Sequence, residues 1–238
     1  MAFPLALVVA LLAQTNSTPV APPPDAPPAL KEIAPGVFDY HGLRLDKKNR
    51  SVTFDAQVNQ RQGYIEYLLV AEKGKLHESL FSTKITPHTL HLAMLLVGLK
   101  EDEAVNHHEP LPPSAIDSAY LHAAPKLKGA PVQITVTWTQ DGKPRTARAE
   151  SWVFNLHTQQ PMTPGAWTYN GSLVEDGAFL ADQELSIIAV VTDPTALVNN
   201  PREGYDDDEI WQVLDKAVPP LNTPVQITLR LADAPAAP

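Results

Sequence analysis

Cysteine is absent from the 238 residues. The chain can therefore form no disulfide, no thiolate-held zinc site and no cysteine-bound iron–sulfur cluster. A lipid cannot be attached through cysteine either. Any metal has to be held by His, Asp or Glu. Basic residues are outnumbered, with 18 Lys and Arg against 27 Asp and Glu and a formal net charge of −9. Such a chain repels phosphate backbones, which argues against nucleic acid as a partner. Past the N-terminus no apolar run approaches the ~18 residues of a membrane-spanning helix. The sequence has no G-x-S-x-G elbow, P-loop, G-x-G-x-x-G turn or H-E-x-x-H helix, since His77-Glu78 is followed by Ser79-Leu80-Phe81.

Proline is abundant, with 24 residues against 11 glycines. Part of the excess lies in Pro19–Pro28, directly after a short apolar run, Leu5–Ala13. Apolar core, polar break and stiff proline-rich segment together predict an exported, bacterial periplasmic or extracellular domain behind a signal-like segment. No Lys or Arg precedes the run, and Leu11 occupies the −3 position relative to Ala13, so the basic start and small-residue cleavage site of a signal peptide are missing. The expected organisation is a signal-like segment at 1–13, a linker at 14–30, one folded domain at 31–232 and a tail at 233–238. An apolar content of 44% with 19% charged residues suits a globular domain.

Within the domain, apolar residues recur with period two. Val52, Phe54, Ala56 and Val58 form one such set. Val132, Ile134, Val136 and Trp138 form another, and Val225, Ile227, Leu229 and Leu231 a third. These are half-buried strands. Tyr64–Ala71 and Leu185–Thr192 are more continuously apolar and read as central strands. Glu72-Lys73-Gly74-Lys75, Asp141-Gly142 and Asp176-Gly177 supply turns. One buried helix is expected near 87–97, with Thr86 as N-cap, Pro87 in the first position and Gly98 as the stop. Glu209–Ala217 reads as a shorter helix behind Asp206–Asp208. The expected fold is mainly β (α+β): a sandwich or partly open barrel of antiparallel strands around one helix.

Three groups of residues could carry chemistry. His77 and Glu78, expected on a strand, could join His88 and His91, which share a helix face, in holding zinc. Asp206, Asp207 and Asp208 offer the hard oxygens calcium prefers, without EF-hand spacing, and equally suit a helix start. Trp167, Tyr169, Tyr205 and Trp211, with Arg202 and Glu203, could line a ligand groove or simply belong to the core. His107-His108-Glu109 sits in a polar, proline-bounded stretch expected to be exposed.

Several strings carry a resemblance. They are Gln60–Phe81 (QRQGYIEYLLVAEKGKLHESLF), Leu90-His91-Leu92, Trp167–Ser172 (WTYNGS), Ser186–Val190 with Asp193-Pro194, and Asn199–Trp211 (NNPREGYDDDEIW). Together they resemble the YdjY domain family of bacterial exported proteins, over about Ser51 to Leu231. The resemblance implies no particular activity. A ferredoxin-like label attached to some members cannot extend to a cluster in a chain without cysteine. It does point to the H-E-S string and the N-N-P-R to Trp211 loop as places to look.

The expected function is an exported accessory domain that binds a small ligand or an envelope partner, with the aromatic and acidic loop Arg202–Trp211 as its surface and without a defined catalytic activity. The alternatives are a zinc- or calcium-dependent hydrolase using His77, Glu78, His88 or His91, and a structural envelope protein.

Overall fold

The computed structural model describes residues 30–100 and 127–232. The signal-like segment, nearly all of the proline-rich linker, the tail and His107-His108-Glu109 lie outside the described residues. The first half of the domain contains β1 (Lys31–Ala34), β2 (Val37–Tyr40), β3 (Leu43–Asp46), β4 (Ser51–Val58), β5 (Tyr67–Ala71), β6 (Ser79–Thr83) and the helix α1 (Pro87–Leu96). The second half begins with β7 (Ala130–Gln140), β8 (Lys143–Arg148), β9 (Val153–Asn155), β10 (Gln160–Pro161) and β11 (Trp167–Tyr169). It continues with β12 (Val174–Glu175), β13 (Ala178–Phe179), the short helix α2 (Leu180–Glu184), β14 (Ser186–Ala189), β15 (Val198–Asn199), β16 (Trp211–Val213) and β17 (Pro224–Leu231).

The alternating segments pair with one another. Strand β17 lies between β4 and β7, antiparallel to both, with Ile227 opposite Phe54 on one side and Val136 on the other. Period-two burial places Val52, Phe54, Val132, Ile134, Val136, Ile227 and Leu229 in one continuous core, each at most 1% exposed. Burying a side chain of this size stabilises by roughly 1.5–3 kcal/mol, and a one-residue slip in register would turn the whole set outward. The order continues β7–β11–β15–β14–β5–β6, and β6 pairs back onto β4 through Gln57–Ser82 and Val58–Phe81.

Eight strands thus close into a barrel, where the sequence suggests a sandwich or a partly open barrel of antiparallel strands. Two of its pairings are parallel, β5 with β6 and β14 with β15. Closure leaves none of these eight strands as a bare edge. Hairpin arms branch from two barrel strands. On one edge of β4, β3 pairs as far as Thr53 and β6 takes over at Gln57. On one edge of β7, β11 occupies the start and β8 the remainder.

Helix α1 follows its sequence signals. The Thr86 side chain accepts from Thr89 N, Pro87 occupies the first turn, and Gly98 adopts φ +100° beyond the end. Leu90, Ala93 and Met94 are fully buried and join the barrel core. The Asp141-Gly142 and Asp176-Gly177 turns have positive φ at both residues, as tight two-residue hairpins require. Two local readings need correction. His77 and Glu78 lie in a 3-10 turn, Leu76–Glu78, not on a strand. The Glu209–Ala217 stretch is not a helix: Trp211–Val213 pairs with β9, and only Asp215–Ala217 forms a 3-10 turn. Pairing with an open strand outweighs the weak helix preference of that segment.

Among the described residues, no helix is long and apolar enough to cross a membrane.

Candidate functional site

His77, His88 and His91 do not assemble into a metal site. His77 is mostly exposed and its Nε2 lies 3.5 Å from Glu78 Oε2. His88 is exposed at the start of α1, where its backbone N–H donates to Asp182 Oδ1 at 2.8 Å. His91, one turn on, is buried, with Nδ1 3.1 Å from the Tyr169 hydroxyl and its ring against Tyr169 and Phe179. Burial, reinforced by nearby His88, pushes the His91 imidazole down to about 4. Burial pushes the Tyr169 phenol upward. His91 is therefore a neutral core histidine at pH 7. Among the described residues, no three His, Asp or Glu side chains group as a metal site.

The acidic loop has a partly different outcome. Asp207 Oδ1 accepts from Glu209 N at 2.9 Å, a local turn contact. The half-buried Glu66 carboxyl is pushed upward by desolvation and by the charges of Glu78 and Asp208. The fold therefore brings the H-E-S string and the acidic loop, 130 residues apart in the case of Glu78 and Asp208, into electrostatic reach of one glutamate. Asp206, which is partly buried, makes its own contacts within the protein.

The aromatic group serves the barrel wall. Trp167 and Tyr169 are fully buried and Trp211 is 1% exposed. Trp211 Nε1 donates to Gly204 O at 2.7 Å. Gly204 has φ +79°, a backbone conformation that favours glycine at that point of the loop. Tyr205 holds the loop down by accepting through its carbonyl from Thr192 N and Oγ1. Glu203 is exposed. Arg202 lies over the Trp167 ring and donates to Thr163 O, Asn200 Oδ1 and Glu150 Oε1. Trp167, Tyr169 and Trp211 thus face the core rather than an open surface.

Glu150, which no sequence signal marks, is the hub of that region. It is fully buried, and its carboxylate accepts from Arg148, Arg202, Gly165 N and Trp167 Nε1. A second unmarked chain runs along the outer face of β5. Lys75 Nζ donates to the Tyr67 hydroxyl at 2.8 Å, which donates to Asp193 Oδ2 at 3.0 Å. Burial, with the Asp193 charge next to it, pushes the Tyr67 phenol upward, so this hydroxyl keeps its proton. Asn199 and Asn170, both buried, bond to each other and to the backbone of the 193–196 loop. Fully partnered buried polar groups of this kind fix loops in one position.

A cleft of about 400 Å³ lies where the edge of β4 changes partner from β3 to β6. It is lined by the outward residues Asp55 and Gln57 of β4, by Ser82 and Thr83 of β6, and by Glu72 and Lys84 in the flanking loops, with Gly42 among the remaining wall residues. Its base is fixed. Thr83 Oγ1 donates to Asp55 O at 2.7 Å and accepts from Ile85 N, while Thr83 O accepts from Glu72 N at 2.8 Å. Sequence alternation marks Asp55 and Gln57 as outward-facing. Their meeting with β6 and the β2–β3 turn has no sequence signal.

The model of the YdjY domain matches residues 43–230. The chain belongs to the YdjY domain family. That span takes in β3 through nearly all of β17, and hence every strand of the closed barrel and the seam at which the cleft opens. No curated protein and no solved structure matches the chain.

Proposed function

We propose that this YdjY domain is an exported accessory module that binds a small ligand in the cleft beside β4 and performs no chemistry of its own. The carrying observation is the cleft itself: about 400 Å³ of concave surface with polar groups from separate elements above a hydrogen-bonded base. Small-molecule sites span about 300–1,000 Å³ and present a few convergent polar groups. Export rests on the apolar run Leu5–Ala13 followed by the proline-rich stretch. Of the residues a metal-dependent hydrolase would use, His91 is taken into the core, 3.1 Å from the Tyr169 hydroxyl.

Soaking crystals of the protein with a library of small polar fragments tests this reading. The expected result is recurrent fragment density between Asp55, Glu72 and Lys84. Fragments that collect elsewhere, or none at all, would remove the cleft as the binding site.

A further inference from the structure

The charge pattern of the cleft narrows its ligand. Resting on the reading of the cleft as a binding site, we infer that it takes a small zwitterion, a molecule with an ammonium and a carboxylate a few bonds apart, as in an amino acid or a dipeptide. Three side chains carry the inference. Glu72 and Lys84 line the same concave surface with opposite charges, yet neither forms an ion pair with the other or with any described residue. Ser82 is 3% exposed, lines the cleft, and has a hydroxyl without a hydrogen-bond partner among the described residues. This hydroxyl is not among the buried side-chain atoms left without a partner, so it is open to the cleft that Ser82 lines. Asp55 is less available, because its Oδ1 already accepts from Gln226 Nε2 at 3.1 Å. The groups left open to a ligand are therefore one carboxylate, one ammonium and one hydroxyl.

Other ligand classes fit this set less well. A simple cation would pair with Glu72 and be desolvated beside Lys84. A simple anion would meet Lys84 with Glu72 and Asp55 facing it. A neutral polyol would displace water from both charges without replacing its interactions, which is unfavourable. A zwitterion satisfies both signs at once, its ammonium toward Glu72 and its carboxylate toward Lys84 and the Ser82 hydroxyl. Charge-assisted hydrogen bonds of this kind are the strong ones. The volume of about 400 Å³ accommodates a dipeptide.

The test is a titration of the full, isotope-labelled chain followed by amide NMR. The probes are glycine and glycylglycine, with ethylammonium, acetate and erythritol each carrying one element of the chemistry. Glycine or glycylglycine should give saturable shifts confined to Asp55–Gln57, Glu72 and Ser82–Ile85, with the stronger of the two separating free amino acid from short peptide. Lys84→Met and Glu72→Gln should each weaken that binding about tenfold or more, and Ser82→Ala by about threefold or more. Lys84 and Glu72 are exposed, so these variants should keep the wild-type spectrum away from the cleft. If ethylammonium, acetate or erythritol shifts these residues and neither zwitterion does, the inference is overturned while the binding cleft survives. If no probe shifts them, and crystal soaks leave the cleft empty, both fail. Zwitterion shifts that persist unchanged in Lys84→Met and Glu72→Gln would also overturn the inference.

Discussion

Glu150 is fully buried, and its Oε1 accepts from Arg148 at 2.6 Å, Arg202 at 3.1 Å and Trp167 Nε1 at 3.2 Å. A buried charge that loses a partner costs about 3–5 kcal/mol, because the remaining charge is left uncompensated. Arg202→Met should therefore lower unfolding stability by about 3 kcal/mol, read from urea denaturation midpoints. A loss well under 1 kcal/mol would mean that Arg148 alone holds the carboxylate. His91 makes a prediction of different form. An unfolded histidine takes up its proton near pH 6.5, whereas folded His91 does so at about 4. The unfolded chain then binds more protons between those values, so stability falls as pH drops from about 6.5 toward 4. His91→Gln should flatten that part of the stability–pH curve, measured by urea midpoints at several pH values. An unchanged slope would assign acid sensitivity to other groups. Both residues show the limit of reading residue types singly. His91 carries a plausible metal-ligand spacing with His88, yet it packs against Tyr169, a residue 78 positions away. Arg148, two residues away, does not by itself announce the burial of Glu150, because Arg202 and Trp167 are gathered by the fold.

Elements were more legible than sites. The caps of α1, the period-two pattern of β4, β7 and β17, and the Asp-Gly turns all follow from local chemistry, so they hold whatever the neighbours are. The acidic stretch before Trp211 failed because capping residues and turn residues are the same amino acids. Only the availability of β9 as a pairing partner decides for a strand. Close approach between elements gives the next prediction. A Cβ on Gly129 would lie 2.0 Å from Tyr169 O, at the junction where β11 pairs with the start of β7. Gly129→Ala should destabilise by about 1–3 kcal/mol through the forced displacement of that pair. Urea denaturation checks it, and amide exchange at Ala130–Val132 should speed up while that of β17 next to β4 changes less. No change in either measurement would mean that the junction yields without cost.

At the scale of the whole molecule, closure of eight strands gives the domain a core of its own, and among the described residues no three His, Asp or Glu side chains group as a metal site. Extensive dialysis against EDTA should leave the thermal unfolding midpoint within about 1 °C, and millimolar zinc or calcium added back should not raise it, because a ligand stabilises only through a native-state site it binds. A rise of several degrees with either ion would restore the metal-dependent reading. The amino-acid sequence by itself determined the β-rich character, the period-two strands, the position of α1, the exclusion of thiol chemistry and the family. These follow from local periodicity, turn chemistry and residue identity, which are properties of neighbours along the chain. Tertiary structure decided that the barrel closes, that Trp167, Tyr169 and Trp211 belong to its wall, and that the open groups of Glu72, Ser82 and Lys84 meet in one cleft. Each of these depends on which strand edge finds which partner. In this protein the decisive case is one edge of β4, where β3 and β6 come from opposite sides in sequence and leave the cleft between them.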